Sequence, residues 1–142
     1  MLLFSCALEF GIKKNKKMNN LIIDAANEKI LFIIITNNKS YTKAHTNSRE
    51  NFDKLVVLLF DFLRENNMQI KDISNIFVNQ GPGKFSSIRS SIAVAKGVSV
   101  ANNLDLYGFN GDQLEGRNYS KILLLFKKGE LKKNLIKPHY LS

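Results

Sequence analysis

Asn75-Ile76-Phe77-Val78-Asn79-Gln80-Gly81-Pro82-Gly83-Lys84-Phe85-Ser86-Ser87-Ile88-Arg89 carries the strongest local signal in the chain. Its first five residues (NIFVN) form a short strand-like run, and two glycines around Pro82 then let the backbone turn sharply off it. Ser86 and Ser87 suit a helix start, because their hydroxyls can satisfy backbone N–H groups that have no partner there. A helix rich in Ala, Ser and Val is expected from residue 86 to about 102. Strand, glycine loop and helix start is a geometry that can hold an anion at the helix N-terminus. The P-loop pattern is not met: Phe85 follows Gly83-Lys84 where Ser or Thr would coordinate magnesium, and Val78 stands where the first Gly would be. The dinucleotide glycine pattern fails too, and by itself the stretch reads as a strand-to-helix turn.

Upstream, residues 21–25 (LIIDA) and 30–36 (ILFIIIT) are apolar, β-branched runs separated by the turn-prone Asn27-Glu28-Lys29. Asn37-Asn38-Lys39 leads to a third run at residues 40–45, which completes an antiparallel meander. Asn47 with Glu50 three residues on has the pattern of a capping box, and Phe52, Leu55, Val56, Leu59 and Leu63 then fall on one helical face that ends near Asn66-Asn67. Downstream, residues 106–109 can supply a fifth strand. Residues 120–142 offer an apolar strand, a Lys-Lys-Gly-Glu turn and a lysine-rich return, enough for a hairpin.

The order β-β-β-α-β-α-β requires parallel strands across each helical crossover and antiparallel strands in the opening meander. The expected fold is α/β, with a mixed sheet of about five strands plus a short C-terminal strand or hairpin. In element order it resembles a single ribonuclease-H-like lobe, the unit duplicated in the actin/Hsp70/sugar-kinase superfamily. Residues 18–110 make up this lobe, 1–17 an N-terminal extension expected to be disordered and dispensable, and 111–142 a short basic segment where a second lobe would stand. Met18 immediately precedes the first strand and is a candidate start.

The chain has 142 residues, 44% of them apolar and 23% charged, the composition of a folded domain. Its formal charge of +9 is concentrated at the ends: residues 1–17 carry +3 and residues 120–142 carry +5, leaving +1 between them. Terminal lysines can attract phosphate, but only four of the 21 basic residues are Arg, the type that makes bidentate contacts. Cys6 is the sole cysteine, which excludes an intramolecular disulfide and a cysteine-based metal site and fits the cytoplasm. The apolar opening of about a dozen residues is too short to span a bilayer, and its lysines follow it where a secretory signal would have them precede it. No membrane association is expected.

Gly81-Pro82-Gly83-Lys84-Phe85-Ser86-Ser87-Ile88-Arg89, followed by the small-residue run Ala93-Val94-Ala95-Lys96-Gly97, resembles the G-P-G-S-F-T-G-L-R signature of the bacterial TsaB (YeaZ-like) family. Residues 21–25 resemble the family's opening I-D-T strand, and residues 45–51 its H-S-E helix start. Pro138-His139-Tyr140-Leu141-Ser142 is similar to its closing P-x-Y-L-R. Within the signature Gly81, Pro82, Gly83, Phe85 and Arg89 match, whereas Lys84 replaces Ser, Ser86 replaces Thr and Ser87 replaces Gly. Ser91 likewise replaces a Gly, Ala25 a Thr, and Ser142 the final Arg.

The resemblance implies a noncatalytic scaffold subunit that supports a TsaD-like paralogue in placing threonylcarbamoyl on N6 of adenosine 37 of tRNA. It further implies a TsaE-like ATPase as second partner, and tRNA met only through the complex. No catalytic residue, metal or cofactor is expected in this chain; Asp24 at the end of the first strand has no dense carboxylate cluster beside it in sequence. The first helix contains the run Leu55-Val56-Val57-Leu58-Leu59-Phe60, then Phe62, more apolar surface than one sheet can bury. Leu58 and Phe62 of the first helix and Ile88, Val94 and Ala101 of the second are the expected partner-facing residues, for a heterodimer or a homodimer. The competing reading packs these faces on each other. Two other functions stay open: a small ATP-dependent transferase or peptidase-like enzyme, and a basic RNA-binding module.

Overall fold

A computed structural model describes residues 18–134 and 136–139. The expectation for residues 1–17 lies outside the described residues, as do Tyr140-Leu141-Ser142 of the closing motif. Six strands form one mixed sheet: β1 (Asn20–Asp24), β2 (Lys29–Ile35), β3 (Ser40–Thr46), β4 (Asn75–Asn79), β5 (Asp105–Phe109) and β6 (Lys132–Lys133), in the spatial order β3-β2-β1-β4-β5-β6. β1 is antiparallel to β2 and parallel to β4, β4 is parallel to β5, and β6 returns antiparallel to β5. The helices are α1 (Arg49–Asp53), α2 (Leu55–Glu65), α3 (Phe85–Asn102) and α4 (Ser120–Lys127). The mixed sheet and the crossovers through helices agree with a single lobe of the expected class.

Both central strands are buried along their whole length, so successive residues of each strand serve different helical layers. On one face Leu21, Ile23, Phe32, Ile34, Ile76 and Val78 meet α2 and α3. On the other, Ile22, Ile33, Phe77 and Phe109 pack around Ile122 of α4. Each fully buried side chain of this kind contributes about 1.5–3 kcal/mol of burial free energy.

Three sequence expectations are corrected. The apolar run at residues 120–127 is a helix, because Tyr119, Ile122, Leu123 and Phe126 recur at i, i+3, i+4 and i+7 and present one stripe to the second sheet face. Among the described residues no hairpin forms there, and the expected short C-terminal strand is β6, whose two residues return to the sheet edge. The helix after the meander is broken at Lys54, which leaves helical geometry (φ −120°, ψ 27°) and divides it into α1 and α2. Its cap is Ser48, not Asn47: the Ser48 hydroxyl accepts the Asn51 N–H at 3.3 Å, while Asn47 Nδ2 donates to the carbonyls of Ala25 and Asn27 at 3.0 and 2.6 Å and secures the β1–β2 turn.

Candidate functional site

The carboxyl ends of β1 and β4 lie side by side where the sheet changes direction, β2 and β3 continuing to one side and β5 to the other. In open α/β sheets this is where a crevice forms. Asp24 ends β1 and is 2% exposed. Oδ1 accepts the Ala26 N–H at 3.1 Å and Asn79 Nδ2 at 3.0 Å, and Oδ2 accepts the Tyr119 hydroxyl at 2.6 Å. Burial, with the adjacent Asp24 charge and the hydrogen bond to it, pushes the Tyr119 phenol well above the ordinary tyrosine range. Together with Pro82, Asp112 and Arg117, these groups line a cleft of about 240 Å3.

The glycine loop is tied into the same network. Asn79 Oδ1 accepts the Gly81 N–H at 2.8 Å, and the Gly81 carbonyl accepts the Gly111 N–H at 3.0 Å. Gly81 has φ +115°, and a Cβ there would collide with the His139 carbonyl. At Gly83 a Cβ would stand 2.7 Å from the Ala26 carbonyl and 2.8 Å from Ile88 Cδ1. The loop thus docks between the β1 turn, the α3 start and the C-terminal stretch, where the His139 N–H donates to the Gln80 carbonyl at 2.7 Å. No side-chain hydrogen bond caps α3 at Lys84, and the Ser87 hydroxyl donates back to the Lys84 carbonyl at 3.2 Å, so the serines do not satisfy the helix start as expected. Pro82 is half-buried at the cleft. Phe85 and Arg89 are exposed, with the guanidinium 5.0 Å from the ring centroid.

The expected partner-facing residues separate. Val94 is half-buried and Ala101 exposed, and both line a groove of about 440 Å3 between α2 and α3 together with Val56, Phe60 and Gly97. A second apolar groove of about 470 Å3 shares Val56 and Phe60 with it and continues to Val57, Met68 and Ile70. Leu58 is half-buried against the sheet-side core. Phe62 and Ile88 are corrected: Phe62 is 2% exposed and stacks on Phe32 with centroids 6.0 Å apart, and Ile88 is fully buried on the core stripe of α3. They fall on the stripes Leu55-Leu59-Phe62-Leu63 and Ile88-Ile92-Ala95, which the sheet covers. Val56, expected in the core, is 45% exposed and Val57 57%. Sequence reasoning had no means of finding Tyr119, which reaches Asp24 across 95 residues of chain. The outward position of Val56 and Gly97 needed only the correct rotation of each helix.

Among the described residues no group of three His, Cys, Asp or Glu is placed to hold a metal ion, and no helix is long and apolar enough to cross a membrane.

The TsaD family model, described as tRNA N6-adenosine threonylcarbamoyltransferase, matches residues 29–114. A protein of Buchnera aphidicola subsp. Baizongia pistaciae, named tRNA threonylcarbamoyladenosine biosynthesis protein TsaB, is 31% identical over 74 residues, which cover 46% of this chain and 34% of that protein. Its namesake from the Schizaphis graminum subspecies is 26% identical over 70 residues, covering 49% and 33%. The chain thus spans about a third of the length of the curated relatives it matches. Among solved structures, YeaZ from Pseudomonas aeruginosa superposes with a TM-score of 0.61 at 19% identity, covering 66% of this chain and 44% of that one. Thermus thermophilus RuvC, solved with a Holliday junction substrate, gives 0.53 at 8% identity over 82% of this chain and 99% of its own, a likeness of fold alone. The chain belongs to the TsaD family that the model describes, and its relatives there are the TsaB (YeaZ) proteins.

Proposed function

We propose that the chain is a noncatalytic scaffold subunit of tRNA N6-threonylcarbamoyladenosine synthesis, docking a TsaD-like partner through the outer faces of α2 and α3. The observation that carries this reading is the continuous apolar surface of Val56, Val57, Phe60, Val94, Gly97 and Ala101, left on the side of the helices away from the sheet. Small residues on α3 let another helix approach closely, and the valines and Phe60 supply the apolar area that association buries. A TsaE-like ATPase is the second partner, and tRNA is met through the assembly. A scaffold role also suits Asp24, whose carboxylate already accepts from three donors of its own chain.

Reconstitution tests the reading. A TsaD-like protein, a TsaE-like ATPase, threonylcarbamoyl-adenylate and unmodified tRNA are combined with and without this chain. Modification is expected only when the chain is present, and no turnover is expected from the chain alone. Equal modification in its absence would overturn the proposal.

A further inference from the structure

We propose that residues 2–12, the apolar part of the chain's own N-terminal extension, seat in the groove formed by α2 and the segment that follows it. This replaces the expectation that residues 1–17 are dispensable, and it does not depend on the partner reading. The groove has a volume of about 470 Å3. Leu63, 1% exposed, lines it together with the half-buried Phe60, Met68 and Ile70 and the exposed Val57. Arg64 is its one charged residue among those described, and Asp61 already pairs with it. A concave apolar surface of this kind gains by being covered with other apolar side chains.

The described residues begin beside this groove. Asn19 donates its side-chain amide to the Asp72 carbonyl at 2.9 Å. The Ser74 hydroxyl accepts the Asn19 N–H at 3.3 Å, and the Ser74 N–H donates to the Asn19 carbonyl at 2.8 Å. Asp72 closes the short 3-10 turn that Ile70 opens, and Ile70 lines the groove. Asn19 and Met68 also line one cavity of about 210 Å3, so the groove starts next to the point where the extension enters the fold. The five residues from Lys13 to Lys17 span up to about 17 Å when extended, more than the roughly 12 Å of α2 between Val56 and Arg64. The whole groove is within reach of residues 2–12.

The sequence of the extension fits the site. Nine of residues 1–12 are apolar, and Leu3, Phe4, Ala7, Leu8 and Phe10 recur at the spacing of one helical face, with Ser5, Glu9 and Lys13 at that of the other. The lysines that follow, Lys13, Lys14, Lys16 and Lys17, can keep their charges in water at the rim while the stretch before them leaves it. Tethering decides the occupant. A segment held by five residues meets the groove at an effective concentration of about 1 mM or more, whereas a second copy or a separate protein has to give up translational freedom to reach the same site. The groove shares Val56 and Phe60 with the one between α2 and α3, but Val94, Gly97 and Ala101 lie outside it.

Cys6 is the sole cysteine, so a nitroxide attached to it reports where the extension lies. In nitrogen-15 NMR of the full chain, the amide signals of Val57, Met68 and Ile70 should lose about half of their intensity or more, and those of Gly108 and Lys132 should keep theirs. Deleting residues 1–12 from the unlabelled chain should shift the same three signals, a comparison that no label disturbs. Leu3→Asp with Phe10→Asp places carboxylates that would have to leave water, and it should restore the intensities while circular dichroism stays unchanged. Signals unmoved by the deletion would overturn the proposal, as would undiminished broadening in the double variant. Broadening that arises when nitroxide-labelled chain without nitrogen-15 is mixed with unlabelled nitrogen-15 chain would also overturn it, since a second copy would then be the occupant. The isolated chain is used throughout, so a failed reconstitution with the partner leaves this result untouched.

Discussion

Tyr119 and Asp24 meet at 2.6 Å across the cleft, and the bond joins the C-terminal helix to the end of the first strand. Tyr119→Phe removes one hydrogen bond to a carboxylate at a partly exposed site, and denaturant unfolding should show a loss of about 1–2 kcal/mol. The phenol is held protonated in the fold above its ordinary range, so in that range the unfolded chain releases a proton that the folded one keeps. Its contribution should therefore be complete below about pH 10 and decline as the pH rises beyond it. The difference in unfolding free energy between wild type and Tyr119→Phe, followed from pH 8 to 11, should shrink toward the alkaline end; a constant difference would contradict this assignment. Gly83→Ala places a methyl against the Ala26 carbonyl and Ile88, and thermal melting should report a loss of about 1–3 kcal/mol. Part of this site was legible in the sequence. Asp24 and the glycines announce themselves by type and by position after apolar runs, whereas Tyr119 and Gln80 gain their roles from partners more than fifty residues away.

At the scale of elements, α4 covers the second face of the sheet. Ile122 is fully buried there, and Phe126 meets Phe77 and Tyr107 with centroids 5.5 and 4.8 Å apart. Ile122→Ala should cost about 2–5 kcal/mol in chemical denaturation, the range for deleting a buried aliphatic side chain; a loss below about 1 kcal/mol would mean that α4 does not seal this face. The first five strands and the α3 helix were readable because long β-branched runs bounded by Asn and Gly leave little ambiguity. Residues 120–127 were not, since a short apolar run satisfies helix and strand alike until the other face of the sheet is considered. The break at Lys54 has the same origin: no Gly or Pro marks it, and it is visible only in the backbone geometry. With α1 separate, the rotation of α2 that turns Val56 outward and Phe62 inward differs from that expected of one continuous helix.

In the whole molecule, one sheet receives helices on both faces, yet the outer sides of α2 and α3 keep an apolar surface that no described residue covers. Composition foretold a basic protein with charge at its ends, and the structure brings two of the C-terminal lysines to the rim of a pocket beside the glycine loop. The central claim is that α2 and α3 dock a TsaD-like partner. The most direct measurement is the affinity of this chain for such a partner by isothermal titration calorimetry, with wild type, Val56→Asp and Ala101→Asp. Both positions are exposed and outside the core, so circular dichroism and melting should stay near wild type. Each new carboxylate would have to be desolvated on docking. Binding should weaken at least tenfold, equivalent to about 1.4 kcal/mol; wild-type affinity in both folded variants would contradict the docking face.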